Sequence, residues 1–264
     1  MQPNARLLTQ AFPAPTTIEA DIARDGFTVY PGAVRTDALQ QMKEFWVGHF
    51  QTPQPRRRAV RSNLRLGEEN FSSYSDDALW CLFRDFDFPW NRPTHPMTRE
   101  LALEVHRVRN VAQGFDEDRG LTYSPDSYGM YVSTSFYPVD SGRLRGHSDG
   151  HQGSPILQYM VPFTHKGIDY DEGGLFVHDS AGKKVDVDAV MKPGDIVFFD
   201  GRLKHGVDTI RTQGSSRSGR VASFGITTYF RTRAELPTAL RHVEDFYFSV
   251  AERFKGKAKS DGAY

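Results

Sequence analysis

Residues 128–151 read YGMYVSTSFYPVDSGRLRGHSDGH, and the chain changes period there. Before Tyr128, apolar residues recur mostly at helical spacing. From Tyr128 onward they fall in short β-rich runs separated by Gly, Pro and Asp. Near the end of the stretch stand His147 and Asp149. On a strand, residues i and i+2 point to one face, so an imidazole nitrogen and a carboxylate oxygen would face one point in space. Two such groups hold a metal poorly. The third candidate is His205, in GRLKHGV (201–207). With nine histidines in 264 residues, an H-x-D pair arises by chance about once, so its surroundings decide the reading.

Those surroundings predict strands at 128–137, 144–151, 155–163, 173–178, 183–187, 195–200, 204–210 and 220–231. Short strands at this spacing after a helical region predict a mainly β fold with flanking helices and a double-stranded β-helix (jelly roll, cupin-like) core. Toward the N-terminus, helices are expected at Thr17–Arg24, at about Asp37–His49 and from Pro96 to about Phe115, with a strand at Phe27–Tyr30. A short helix is expected at Asp76–Arg84. The aromatic run 86–93, with Phe86, Phe88 and Trp90, is expected to pack as core rather than line a pocket. Residues 51–75 carry Arg56, Arg57, Arg58, Arg61 and Arg65 and read as a solvated loop or as a lid over an anionic substrate. A last helix is expected at 236–254, with Leu240, Val243, Phe246 and Val250 on its apolar face. Without internal repeats, the chain reads as one domain, 1–264. Its helical part is 17–115, its jelly-roll core about 128–231, and its C-terminal helix 236–254.

Composition excludes little. Lys plus Arg and Asp plus Glu both total 33, so net charge argues for neither nucleic acid nor membrane as a partner. Cys81 is the only cysteine, which rules out an internal disulfide and suits a cytoplasmic location. The first residues lack the apolar core of a signal peptide. A monomer or homodimer is expected.

Two histidines and a carboxylate on one face of a metal are the ligand set of non-haem Fe(II) oxygenases. The order His147-x-Asp149, then His205, then Arg220 resembles that of the Fe(II)/2-oxoglutarate-dependent dioxygenases. GGLFV (173–177) is similar to that family's Gly-Gly strand. MKPGDIVFFDGRLKHGV (191–207) is similar to the two strands leading into its distal histidine. ARDGFTVYPGAV (23–34) resembles the entry segment of the phytanoyl-CoA dioxygenase-like branch. The resemblance implies His147, Asp149 and His205 as ligands of Fe(II), with 2-oxoglutarate and O2 as cosubstrates. It implies hydroxylation, desaturation or cyclisation of an unactivated C–H bond, with release of succinate and CO2. Family members that halogenate carry a small residue where this chain has Asp149.

Arg220 opens the apolar strand RVASFGITTYF. It is the expected partner of the distal carboxylate of 2-oxoglutarate, since a guanidinium stays charged and binds a carboxylate through two N–H groups. Arg211 and Arg217 are its rivals in a polar loop. Ala222 stands where some family members place a serine for a second contact, so Tyr131, Ser133 or Tyr159 is expected to supply that hydroxyl. Arg143 and Arg145, beside the metal pair, suggest a small substrate with a carboxylate or phosphate, such as an amino acid or a biosynthetic intermediate. The alternative is a cupin-like metal-dependent isomerase or hydrolase that does not use 2-oxoglutarate. A non-catalytic ligand-binding jelly roll is the third reading.

Overall fold

A computed structural model describes residues 6–9, 14–53, 57–58, 69–122, 128–149, 157–214 and 218–229. The N-terminal elements are α1 (Pro15–Asp25), β1 (Phe27–Tyr30), α2 (Thr36–Gln51), β2 (Arg57–Arg58), β3 (Phe71–Asp76), β4 (Trp80–Asp87) and α3 (Pro96–Ala112). The remaining strands are β5 (Tyr128–Tyr137), β6 (Arg143–His147), β7 (Leu157–Pro162), β8 (Glu172–His178), β9 (Lys184–Asp186), β10 (Ile196–Asp200), β11 (His205–Arg211) and β12 (Arg220–Tyr229). The expected helix at 236–254, and most of the arginine-rich run, lie outside the described residues.

The strands order as β1-β10-β7-β12-β5-β4-β6-β11-β8-β9, with β3 on β4 and β2 on β3. All these pairs are antiparallel except β2–β3. The sheet curls so that β4 pairs with β5 through Phe83–Asp87 and with β6 through Trp80 and Cys81. This is the double-stranded β-helix core that the strand spacing predicts.

The expected helix at Asp76–Arg84 is instead a hairpin. Asp77 Oδ1 accepts hydrogen bonds from the N–H groups of Leu79 and Trp80, both at 2.9 Å, which closes a turn between β3 and β4. Beyond it, residues alternate in direction. Leu82, Arg84 and Phe86 face into the barrel, while Phe83 and Asp85 face out. A charged residue on an inward face hid that alternation.

The three helices cover the outer face. Ile18, Met42, Trp46, Leu101 and Val105 pack there against Tyr159, Val161, Ile196, Phe198 and Val221. Proline at its start and a side-chain cap from His95 to Thr98 N define the beginning of α3. Trp46 Nε1 donates to Thr98 Oγ1 at 2.8 Å and joins α2 to α3. Arg109 Nε donates to Leu157 O at 2.7 Å and joins α3 to β7. The motif at 23–34 and the motif at 191–207 meet directly, because β1 pairs with β10 along Phe27↔Phe199 to Tyr30↔Ile196.

Candidate metal centre and barrel interior

The residue pairs of β5 and β12 show which side chains enter the barrel. Tyr137 lies opposite Arg220, Ser135 opposite Ala222, Ser133 opposite Phe224 and Tyr131 opposite Ile226. Paired residues share a face, and Ala222 and Phe224 belong to the inner apolar cluster with Met160, Leu175, Val177 and Phe199. Tyr131, Ser133, Tyr137 and Arg220 therefore line the interior.

His147 and His205 are directly paired across β6 and β11. Between them and the Val207–Leu144 pair the register shifts, because β6 carries an extra residue. That bulge turns both Leu144 and His147 inward and sends Arg145 out. Glycines permit the close approach, since a Cβ on Gly206 would lie 2.6 Å from Leu144 O.

Asp149 is not on the strand, as the expected run 144–151 required. β6 ends at His147, and Asp149 is held in the following loop by a 2.7 Å hydrogen bond from its N–H to Gly201 O. The loop, not the pleat, brings the carboxylate round.

The three side chains converge, their ligand atoms all within 4.8 Å of one another. His147 Nε2 is 3.5 Å from Asp149 Oδ1, and His205 Nε2 is 3.6 Å from Asp149 Oδ2. Each histidine is oriented by its other nitrogen: His147 Nδ1 lies 3.0 Å from Arg145 O, and His205 Nδ1 lies 2.9 Å from Leu203 O. With Nδ1–H donating to a carbonyl, Nε2 keeps its lone pair for a metal. Burial, and then the nearby His205, lower the pKa of His147 and favour the neutral ligand form. Burial alone would raise Asp149, but its close neighbour His205 and the hydrogen bond from Gln158 hold its carboxyl below the usual range.

Gln158 Nε2 donates to Asp149 Oδ2. Sequence reasoning passed over Gln158 and chose its neighbour. Tyr159 faces the helices, and its hydroxyl donates to Ala102 O at 2.8 Å, so it does not reach the interior. A Cβ on Gly225, its cross-strand partner, would lie 2.0 Å from the Tyr159 hydroxyl, so glycine there makes the room.

At the deep end, Arg220 is buried and paired with Asp188, Nε to Oδ2 at 2.6 Å and Nη2 to Oδ1 at 3.1 Å. Tyr170 Oη and Leu175 N also donate to Asp188 Oδ2, at 2.5 and 2.9 Å. Burial would lower the pKa of Arg220, but the charge of Asp188 outweighs it and holds it up. The Gly-Gly strand has a local reason: Gly174 stands at φ 109°, and a Cβ there would lie 2.3 Å from Asp188 Oδ2. Arg220 Nη1 is buried and has no hydrogen-bond partner among the described residues.

Ser133 Oγ is likewise buried without a partner among the described residues. Tyr131 lies against Phe86, ring centres 5.3 Å apart and the planes tilted by 53°. Burial pushes its phenol up to about 12, with Arg84 and Asp149 as its charged neighbours. Phe86, Phe88 and Trp90 form a small apolar cluster with Phe71.

Arg143 and Arg145 do not enter the site. The Arg143 guanidinium donates to the carbonyls of Asp77, Ala78 and Ser141. Arg145 lines an open surface groove of about 400 Å³ with Lys184 and Lys204. Of the rivals to Arg220, Arg211 ends β11 on an exposed position, and Arg217 lies outside the described residues, as does His151.

No protein-family model matches the sequence, and no curated protein matches it. Solved structures do resemble its fold. A Pseudomonas putida prolyl-4-hydroxylase superposes with a TM-score of 0.54 at 14% identity, covering 81% of this chain and 98% of its own. The non-haem α-ketoglutarate-dependent carbocyclase SnoK of nogalamycin biosynthesis gives 0.53 at 12%, covering 82% and 87%. A prolyl hydroxylase from Trichoplax adhaerens, in complex with a peptide fragment of hypoxia inducible factor, gives 0.50 at 12%, covering 81% and 89%. The fold is thus the one these Fe(II)/2-oxoglutarate oxygenases share, without preference for the phytanoyl-CoA dioxygenase-like branch. Among the described residues, no helix is long and apolar enough to cross a membrane.

Proposed function

We propose that this chain is an Fe(II)- and 2-oxoglutarate-dependent oxygenase acting on a C–H bond of a small molecule. The observation that carries the reading is the meeting of His147, Asp149 and His205 on the barrel wall, with an unpartnered Arg220 Nη1 on the same inner face. The residues fit both groups: two oriented imidazoles and a carboxylate suit Fe(II), and an orphaned guanidinium N–H suits a carboxylate. Bound there, iron and 2-oxoglutarate would supply the oxidising chemistry, releasing succinate and CO2.

The chain's own contribution is placement. The carbonyls of Arg145 and Leu203 keep both Nε2 atoms on the metal side. Gln158 fixes the rotation of Asp149. Arg220, held rigid by Asp188, would hold the distal carboxylate through Nη1. Met160, Leu175, Val177 and Ala222 keep water from the space between. Asp149 fills the position that a halogenase of this family leaves small, which favours hydroxylation, desaturation or cyclisation.

The test is anaerobic titration of the Fe(II)-loaded protein with 2-oxoglutarate, reading the weak visible charge-transfer band of the chelate. Wild type should show the band. Arg220→Lys keeps a charge for Asp188 but loses the planar fork, and should need about tenfold more 2-oxoglutarate, the size of one lost charge-assisted hydrogen bond. A folded, iron-loaded wild type without the band would move the reading to a metal-dependent isomerase or hydrolase.

A further inference from the structure

A second guanidinium shares the inner face with Arg220, and its setting is different. Arg84 on β4 lies opposite Ser135, which lies opposite Ala222. It therefore stands one inward row nearer the metal centre than the Tyr137–Arg220 row. His147, Tyr131 and Tyr137 all feel its charge, which brackets it between the metal centre and the deep end. Its ring contacts are the faces of Trp80 and Phe86, at 5.7 and 5.2 Å. Burial pulls its pKa down. Among the described residues it forms no ion pair and no hydrogen bond.

The two fully buried arginines among the described residues are matched. Arg220 has Asp188, and Arg109 has Leu157 O and Asn110. Arg84 is half-buried, and a guanidinium that lies on the inner wall against Trp80 and Phe86, with no partner of its own among the described residues, is free to meet a ligand there. Ser133, two residues before Ser135 on β5 and on the same face, adds the unpartnered buried hydroxyl.

We propose that Arg84, with Ser133, anchors an anionic group of the substrate, a carboxylate or an oxyanion of similar size, on the barrel wall beside the metal centre. The proposal rests on the oxygenase reading for what the centre does, and it deepens that reading by giving the substrate class. The distal carboxylate of 2-oxoglutarate is a different ligand. Arg84 and Arg220 sit on strands separated by β5 and on different rows, which at ordinary sheet spacing puts their Cα atoms about 12 Å apart, and only Arg220 is tied to a carboxylate of the protein.

The experiment uses the full chain loaded anaerobically with Fe(II) and saturating 2-oxoglutarate. Propionate, benzoate and phenylacetate are compared with their amides as probes, reading the thermal midpoint and the position of the charge-transfer band. The acids should raise the midpoint and shift the band, and the amides should do neither. Arg84→Gln should weaken the acids at least tenfold while leaving 2-oxoglutarate affinity within twofold of wild type. Arg84→Lys, the milder variant, should retain part of the response, and Ser133→Ala should weaken the acids without lowering the midpoint of the probe-free protein.

Wild type that responds no more to acids than to amides overturns the proposal. So does an acid response that survives Arg84→Gln, or a tenfold loss of 2-oxoglutarate affinity in that variant, which would give Arg84 to the cosubstrate. If wild type shows no band, the oxygenase reading fails by itself, and the thermal comparison of acids with amides still decides Arg84.

Discussion

Strand β7 divides the molecule within six residues. Leu157, Tyr159 and Val161 go to the helices; Gln158 and Met160 go to the barrel interior. Both faces are shut off from water, yet they are filled differently. The outer face is largely apolar, and polar groups there such as Arg109 and the Tyr159 hydroxyl are hydrogen-bonded, with Asp85 Oδ1 an exception. The inner face mixes apolar residues with charges and hydroxyls, and Arg220 Nη1, Ser133 Oγ and Ser135 Oγ are buried there without a hydrogen-bond partner among the described residues. Satisfied polar groups lock a structure, whereas unsatisfied ones are held for something else. The stability of the fold resides chiefly on one side of the sheet, and its chemistry on the other.

The largest expected effect tests the exception, the bonded pair at the deep end. Asp188→Ala leaves Arg220 buried without its counter-charge and should cost about 3–5 kcal/mol in urea unfolding. Adding Arg220→Met should recover a large part of that loss, and a double variant as unstable as the single one would mean that Asp188 acts through Tyr170 and Leu175 N instead. On the outer face, Leu101→Ala removes a buried side chain of α3 and should cost about 2–5 kcal/mol. Metal affinity should stay as in wild type, and a parallel fall in metal affinity would show that the two faces are not independent.

Gln158→Leu sharpens the contrast from the inner side. It removes the group that orients Asp149, so metal affinity by competition titration should fall about 10–100-fold, with unfolding stability changed by less than about 1 kcal/mol. The smallest effect concerns Asp87 on β4, whose carboxyl burial pushes up to about 6. The unfolded carboxyl titrates near 4, so the folded chain holds the proton more tightly. This contribution favours folding below about pH 4 and is lost as pH rises through 6. Asp87→Asn should therefore stabilise the protein by about 1–2 kcal/mol at pH 8 and have little effect at pH 4. A stability difference independent of pH would assign the effect to the altered hydrogen bonds with Asn70 and Thr94.

Much of the scaffold was legible because its signals are local. Alternation and turn residues placed β5 at 128–137 and β12 from Arg220, and helical spacing of apolar residues placed α3 from Pro96. Where both faces of a strand are buried, alternation vanishes. In LQYMVP nothing local says whether Gln158 or Tyr159 faces inward, and an error of one residue exchanges the faces. The hairpin at 71–87 was misread because its inward row includes Arg84, which breaks the apolar pattern.

By itself the sequence determined the β-rich core, the helices before it and the identity of the three residues that meet on the barrel wall. Only the tertiary structure decided how they meet. The bulge in β6 and the hydrogen bond from Asp149 to Gly201 turn the side chains to one point, and both depend on neighbours far along the chain. It also decided that Arg220 is matched by Asp188 and Arg84 by nothing described. The physical reason is that charge pairing inside a barrel is set by which strands close beside each other, a long-range property that residue spacing does not carry.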